Sequence, residues 1–171
     1  MSAKKPIICH TKKEKKMLVL KTLPENARLI EPDQPEEFGL LFRLRWEMLR
    51  KPWGLPPGSE KDSEEEGSVH RAIWLSVEGK SVAVACGRMQ LALPQEAQVR
   101  YMAVDSRFQG KGWGREVLQS LEEEAGNLGC SKVFLNAREK AVPFYLRCGY
   151  IIENEAEAYL GIPHFRMSRQ L

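Results

Sequence analysis

The chain switches repeatedly between stretches whose apolar residues recur every second position and stretches where they recur every third or fourth. Residues 27–31 have the character of a short strand. After Pro32, Asp33 and Gln34 a helix is predicted. Pro35 suits its first turn, Glu36 and Glu37 suit its positive end, and Phe38, Leu41, Phe42, Arg45 and Leu49 recur at helical spacing, with Trp46 adding bulk. Pro52 stops it. Residues 52–68 are rich in Pro, Gly and acid and read as a loop or a frayed short helix. Strands are predicted over 70–78 and 81–91, with Gly79 and Lys80 as a hairpin turn, and over 97–104.

A glycine-rich loop then leads into a helix over 112–127. Its apolar face carries Trp113, Val117, Leu118, Leu121 and Ala125, continued by Leu128, with Glu116, Glu122 and Glu123 mostly on the other faces. Gly129 ends it. A buried strand over 132–137, a short helix over 141–148 closed by Gly149, and strands over 150–153 and 163–168 complete the chain. The order β-α-loop-β-β-β-α-β-α-β-β implies an α/β (α+β) fold with a sheet of mixed direction and helices packed on it.

Charge and cysteine usage narrow the function classes. The net charge of +3 resides in a lysine-rich tail, residues 1–16, where six lysines stand against Glu14. That balance of +5 leaves the rest slightly negative, at −2, with no global reason to grip a phosphate backbone. The tail reads as a solvated leader and residues 17–171 as one domain. Nucleic acid is not an expected partner, although a basic arm keeps that rival in view. Cys9, Cys86, Cys130 and Cys148 form no Cys-x-x-Cys pair, and His10, His70 and His164 are scattered, so no metal is expected. The apolar stretch 7–9 is too short for a signal peptide, and no run approaches the ~20 apolar residues that span a bilayer. A cytoplasmic location without membrane contact is therefore expected.

The sharpest feature is the segment Val99 to Arg115, a strand entering a tight loop that enters a helix. Backbone amides with few side chains, at a helix start, wrap an anion, and phosphate is the natural guest. Lys111 and Arg115 add positive charge nearby, and glycines 110, 112 and 114 let the backbone come close. A dinucleotide fingerprint fails because Arg115 stands where its third glycine belongs. A P-loop fails because Gly112 follows Gly110-Lys111. The pattern Gln/Arg-x-x-Gly-x-Gly/Ala is met by Gln109, Gly112 and Gly114, and it resembles the coenzyme A diphosphate loop of the GNAT acetyltransferases. A second match follows in the right order. Val133-Phe134-Leu135-Asn136-Ala137, then Phe144-Tyr145 and Gly149-Tyr150, resembles the GNAT segment in which a strand leads to a helix ending Phe-Tyr-x-x-x-Gly-Phe/Tyr.

The resemblance implies a mostly antiparallel central sheet, splayed at the cofactor site, with helices on both faces. It implies acetyl-CoA as co-substrate and transfer of its acetyl group to an amine. Pantetheine would enter between the edges 101–104 and 135–137, past Met102, Ala103 and Val104. Gln109, Gly110, Lys111, Gly112, Trp113, Gly114 and Arg115 would hold the diphosphate, and Asn136 and Phe144 would complete the site. Asn136 has a second reading as a strand-end cap. Tyr145 stands where the family has the tyrosine facing the sulfur, and a backbone N–H near Met102 is the oxyanion donor. The family position for a glutamate base is Gln98 here, and an amide takes no proton. Glu96, His164 and His70 are the candidate bases, and acceptance of already neutral amine without any base is a further reading.

The acceptor side would draw on Arg43, Arg45, Trp46, Trp53, the acidic stretch 60–66 and His164. The arginines favour an acceptor with a carboxylate and the acids favour a cationic amine, so both stay open, with a small-molecule amine preferred over a protein. Trp53 is a candidate pocket wall or homodimer contact. A coenzyme A-binding regulator without catalysis is the rival reading.

Overall fold

The computed structural model describes residues 23–171. The lysine-rich tail lies outside them. Seven strands form one sheet in the order β1-β2-β3-β4-β5-β7-β6. They are β1 (Ala27–Ile30), β2 (Val69–Val77), β3 (Lys80–Leu93), β4 (Glu96–Val104), β5 (Lys132–Arg138), β6 (Ile151–Tyr159) and β7 (Ile162–Gln170). Every neighbouring pair is antiparallel except β4 and β5. The helices are α1 (Pro35–Leu49), α2 (Trp113–Asn127) and α3 (Val142–Arg147). The mixed, mostly antiparallel sheet implied by the resemblance is therefore present.

Helices cover both faces. α1 lays Leu41 and Leu44 on Ala72, Trp74, Ala83, Cys86 and Ala103. α2 lays Trp113, Val117, Leu118, Leu121 and Ala125 on the opposite face, against Ile73, Val84, Ala85, Val99 and Val133. With both faces covered, β3 is buried without interruption from Ala83 to Met89, so it reads as an apolar run rather than an alternation. Two glutamates of α2 depart from the expected exposed faces. Glu116 and Glu122 are buried, and Glu122 accepts from the Tyr150 hydroxyl (2.8 Å) while pairing with Arg169 (3.0 Å).

Several boundaries move. The β2–β3 turn is Glu78–Gly79, one residue earlier than expected. Val77 pairs with Lys80, and both turn residues have positive φ, 51° and 75°. β6 and β7 are each much longer than the apolar cores 150–153 and 163–168, and they meet at a tight turn of Leu160 and Gly161. The polar run Glu153–Glu157 hid this, because β6 is an edge strand exposed along nearly its whole length. Residues 54–68 form a loop after a short 3₁₀ turn, Lys51–Trp53. Among the described residues no helix is long and apolar enough to cross a membrane.

Candidate active site

The site begins where the sheet fails to close. β4 and β5 pair only through Glu96–Lys132, Ala97–Val133 and Gln98–Phe134. Beyond Gln98 and Phe134 the strands part, and both run on unpaired with each other as far as Val104 and Arg138. A bulge in β4 accompanies the split. Arg88 faces Arg100 and Cys86 faces Ala103, so Tyr101 and Met102 together stand opposite Gly87. Tyr101 has φ 53°, a left-handed value costly for a bulky residue. Gly87 makes room for the bulge: a Cβ there would collide with Met102 Sδ and come within 2.9 Å of Leu121 Cδ1. The Tyr101 carbonyl faces Cys86 Sγ at 3.8 Å, and the trans peptide turns the Met102 N–H the opposite way.

The strain at Tyr101 is held by a buried ionic cluster. The Tyr101 hydroxyl donates to Asp62 Oδ2 (3.0 Å), and the Arg45 and Arg88 guanidinium groups each lie 4.8 Å from its ring centre. Arg88 binds Asp62 in bidentate fashion (2.5 and 2.9 Å) and also Glu65 (2.6 Å), while Arg45 binds Glu65 (2.8 Å). Burial alone would raise the Asp62 carboxyl, but Arg88, the Glu64 N–H and Tyr101 hold it well below the usual carboxylate range. Asp62 and Glu65 are thus a strap tying loop 54–68 onto the sheet, and Arg45 is committed to it. His70 belongs to the same cluster. It is 2% exposed, takes a hydrogen bond at Nδ1 from Arg45 (3.1 Å), and donates through Nε2 to the Glu65 carbonyl (2.9 Å). Burial pulls its proton affinity down. It has no free nitrogen for catalysis and does not line the cleft.

The split strands open into a cleft of about 700 Å³. Gln98, Met102, Asn136, Tyr145 and His164 all line it. Tyr145 comes from α3, is 7% exposed, and its hydroxyl has no hydrogen-bond partner among the described residues. Burial, then the neighbouring Cys148, pushes its phenol above the ordinary value, so it stays protonated at neutral pH. His164 sits in β7 between Arg138 and Ala156. Its Nδ1 lies 2.8 Å from the Ile162 carbonyl, which can only accept, so Nδ1 carries the hydrogen and Nε2 the free lone pair. Glu96 is not brought here. It lies at the closed end of the wedge, 3.7 Å from Lys132 Nζ. Asn136 lies inside β5 with an exposed side chain, two residues before the strand ends, so it is no cap.

The glycine loop reaches the start of α2. Gly110 and Gly112 have φ 77° and 83°, so their glycine identity is conformational, and a Cβ on either would meet nothing within 4 Å. Gly114 differs: a Cβ there would press on Val104 (3.3 Å) and Phe144 (3.4 Å), so it serves the seating of α2 on β4 and α3. Trp113 is buried and stacks on Phe108 with centres 5.2 Å apart, and Lys111 Nζ rides over both rings. Gln109 donates to the Val104 carbonyl (3.2 Å). Arg115 donates to the Arg147 carbonyl (2.5 Å), joining the first turn of α2 to the end of α3. The open-sided left-handed glycines and the unpaired strand edges fit a diphosphate followed by an extended amide chain.

The chain matches the model of the acetyltransferase (GNAT) family over residues 38–150. It belongs to that family. A GNAT chain is an acetyl-CoA-dependent acyltransferase, and this one is 30% identical over 129 residues to the uncharacterized N-acetyltransferase YjcF of Bacillus subtilis, covering 75% of this chain and 89% of that one. It is 33% identical over 69 residues to glucosamine 6-phosphate N-acetyltransferase 1 of Oryza sativa subsp. japonica, covering 40% and 38%. The fold is shared with an aminoglycoside 6'-N-acetyltransferase solved with coenzyme A (TM-score 0.68, 17% identity, 83% of this chain and 96% of that one).

Arg50, Arg138, Glu157 and Tyr159 also line the cleft, and the sequence reading did not single them out. Arg138 directly follows the Asn136-Ala137 motif, which was its available signal. Glu157 and Tyr159 lie in the part of β6 whose polarity concealed the strand. Of the expected acceptor residues, Arg43 is spent on a surface pair with Glu47 (3.0 Å), and Trp46 donates to the Leu55 carbonyl (2.9 Å). Trp53 lies under Arg138 at 5.7 Å.

Proposed function

We propose that the chain acetylates the primary amine of a small molecule by direct attack on the thioester of acetyl-CoA. The observation that carries this reading is the convergence of Tyr145 and His164, whose Nε2 keeps its lone pair, on one cleft between unpaired strands. The loop 109–114 holds the diphosphate, and the edges 101–104 and 135–137 hold the pantetheine amides. The acceptor ammonium gives a proton to His164 Nε2, which passes it to water. The freed nitrogen forms the N–C bond at the acetyl carbonyl, whose oxygen gathers negative charge beside the Met102 N–H. The C–S bond then breaks as the nitrogen gives its second proton to His164, again passed on to water, and the departing thiolate receives a hydrogen bond from Tyr145. With its phenol above the ordinary ~10 and a thiol near ~8.5, full proton transfer runs uphill, so hydrogen bonding is the larger contribution.

The cleft's volume lies within the ~300–1,000 Å³ of small-molecule sites, which supports a small acceptor over a protein chain. The names of the rice relative and of the aminoglycoside enzyme, both specifying small amines, support the same choice. The test is steady-state release of free coenzyme A from acetyl-CoA across a panel of amines. Amine-dependent release is expected. Tight acetyl-CoA binding without release on any amine would favour the regulator reading.

A further inference from the structure

The cleft contains positive charge that acetyl transfer leaves unused. Arg50 follows the end of α1 and is 8% exposed. It donates through Nη1 to the Leu49 carbonyl (3.1 Å) and through Nε to the Ser59 carbonyl (2.9 Å). Arg138 closes β5 and donates through Nη2 to the same Leu49 carbonyl (3.0 Å). One carbonyl therefore gathers two guanidinium groups from separate elements and sets them side by side.

Neither has a carboxylate partner among the described residues. The contrast with the strap is informative. Arg45 and Arg88 are also buried, and the chain supplies them with Glu65 and Asp62. Two like charges left adjacent and uncompensated are costly, and Arg138 shows the strain: burial, then Arg50, lowers its proton affinity. Aromatic faces hold the pair in place, Tyr101 and Tyr159 for Arg50 (5.5 and 5.4 Å) and Trp53 for Arg138. Lys61 and Arg100, the latter 3.5 Å from Asp62, extend the positive lining, and Glu157 is the one carboxylate among the described residues that line the cleft.

The diphosphate does not account for this charge. Its loop opens α2, whose face of the sheet is opposite to that of α1, where Arg50 and the Leu49 carbonyl lie. We propose that Arg50 and Arg138 form an anion clamp, and that the amine acceptor carries a phosphate or carboxylate group that docks on it. Paired guanidinium groups suit both, because each presents N–H donors in a planar fork. The proposal rests on the cleft being the acetyl-transfer site, and it makes the acceptor an amine with an anionic group.

The test uses matched probes at saturating acetyl-CoA: ethanolamine against phosphoethanolamine, glucosamine against glucosamine 6-phosphate, and putrescine against 4-aminobutyrate. Their binding to the coenzyme A-saturated protein is measured in parallel by calorimetry. The anionic member of at least one pair is expected to be favoured by about tenfold or more in kcat/KM or in Kd. The phosphate and carboxylate pairs show which anion the clamp takes. Arg138→Gln is expected to erase the preference while leaving the Kd for acetyl-CoA unchanged. Arg50→Gln provides a second variant, and the wild-type comparison stands without either. Preference for the neutral or cationic members, or none, with acetyl-CoA still bound overturns the clamp and leaves acetyl transfer standing. Failure to bind acetyl-CoA overturns acetyl transfer first.

Discussion

Replacing Tyr145 with Phe separates chemistry from packing. The side chain is 7% exposed in the cleft wall and its hydroxyl has no hydrogen-bond partner among the described residues, so its removal sacrifices none of their hydrogen bonds. The ring contacts remain, edge-on to Phe144 (4.9 Å) and to Tyr150 (5.7 Å). Stability is therefore expected to stay within about 0.5 kcal/mol, with Tm within about 2 °C. The transition state loses a hydrogen bond to a charged sulfur, worth about 1.5–3 kcal/mol, which corresponds to about 10- to 150-fold in kcat. The assay is coenzyme A release followed with a thiol reagent, after the protein's own cysteines, including the half-buried Cys148, have been titrated. The Kd for acetyl-CoA should hardly move. An unchanged kcat would refute the donor role. A loss of several kcal/mol in stability that activity merely follows would make Tyr145 a packing residue.

His164→Gln is expected to lower kcat/KM near neutral pH by about 10²–10⁴, with partial recovery as rising pH supplies more neutral amine; an unaltered pH–rate profile would exclude His164 as base. Gly112→Ala forces a side chain to φ 83°, so it should destabilise the protein by about 1–2 kcal/mol in chemical denaturation and raise the acetyl-CoA Kd several-fold. Glu153 is held down to about 2, first by Lys132 and then by Ser168, with Arg166 adding to them. Its contribution to stability is full above the ordinary carboxylate pKa and fades as pH falls from about 4.5 towards 2, so Glu153→Gln should flatten the acid limb of the stability curve over that window.

Much of the fold could be read from the chain because its signals were local. α2 carries an amphipathic stripe, and the loop before it uses glycine where positive φ demands it. The Asn136-Ala137 and Phe144-Tyr145 segments mark the second edge of the wedge. What escaped the sequence depends on distant partners. The acids of loop 54–68 read as a lining that favours a cationic amine, yet Asp62 and Glu65 pair with two arginines buried on α1 and β3. Arg45 sat in the helix's apolar stripe, and it is buried there as a charge. The bulge at Tyr101 has no local signal, since its enabling glycine, Gly87, lies on the neighbouring strand. The pairing of Arg50 with Arg138 exists only through a carbonyl that receives both.

Acetyl transfer at this cleft depends most on the glycine loop and the parted strands accepting acetyl-CoA. Isothermal titration of acetyl-CoA into the purified protein should give one-to-one saturation between about 1 μM and 1 mM, the range typical of enzyme KM values, weakened in Gly112→Ala. Absence of binding at millimolar acetyl-CoA in the wild-type protein would contradict it.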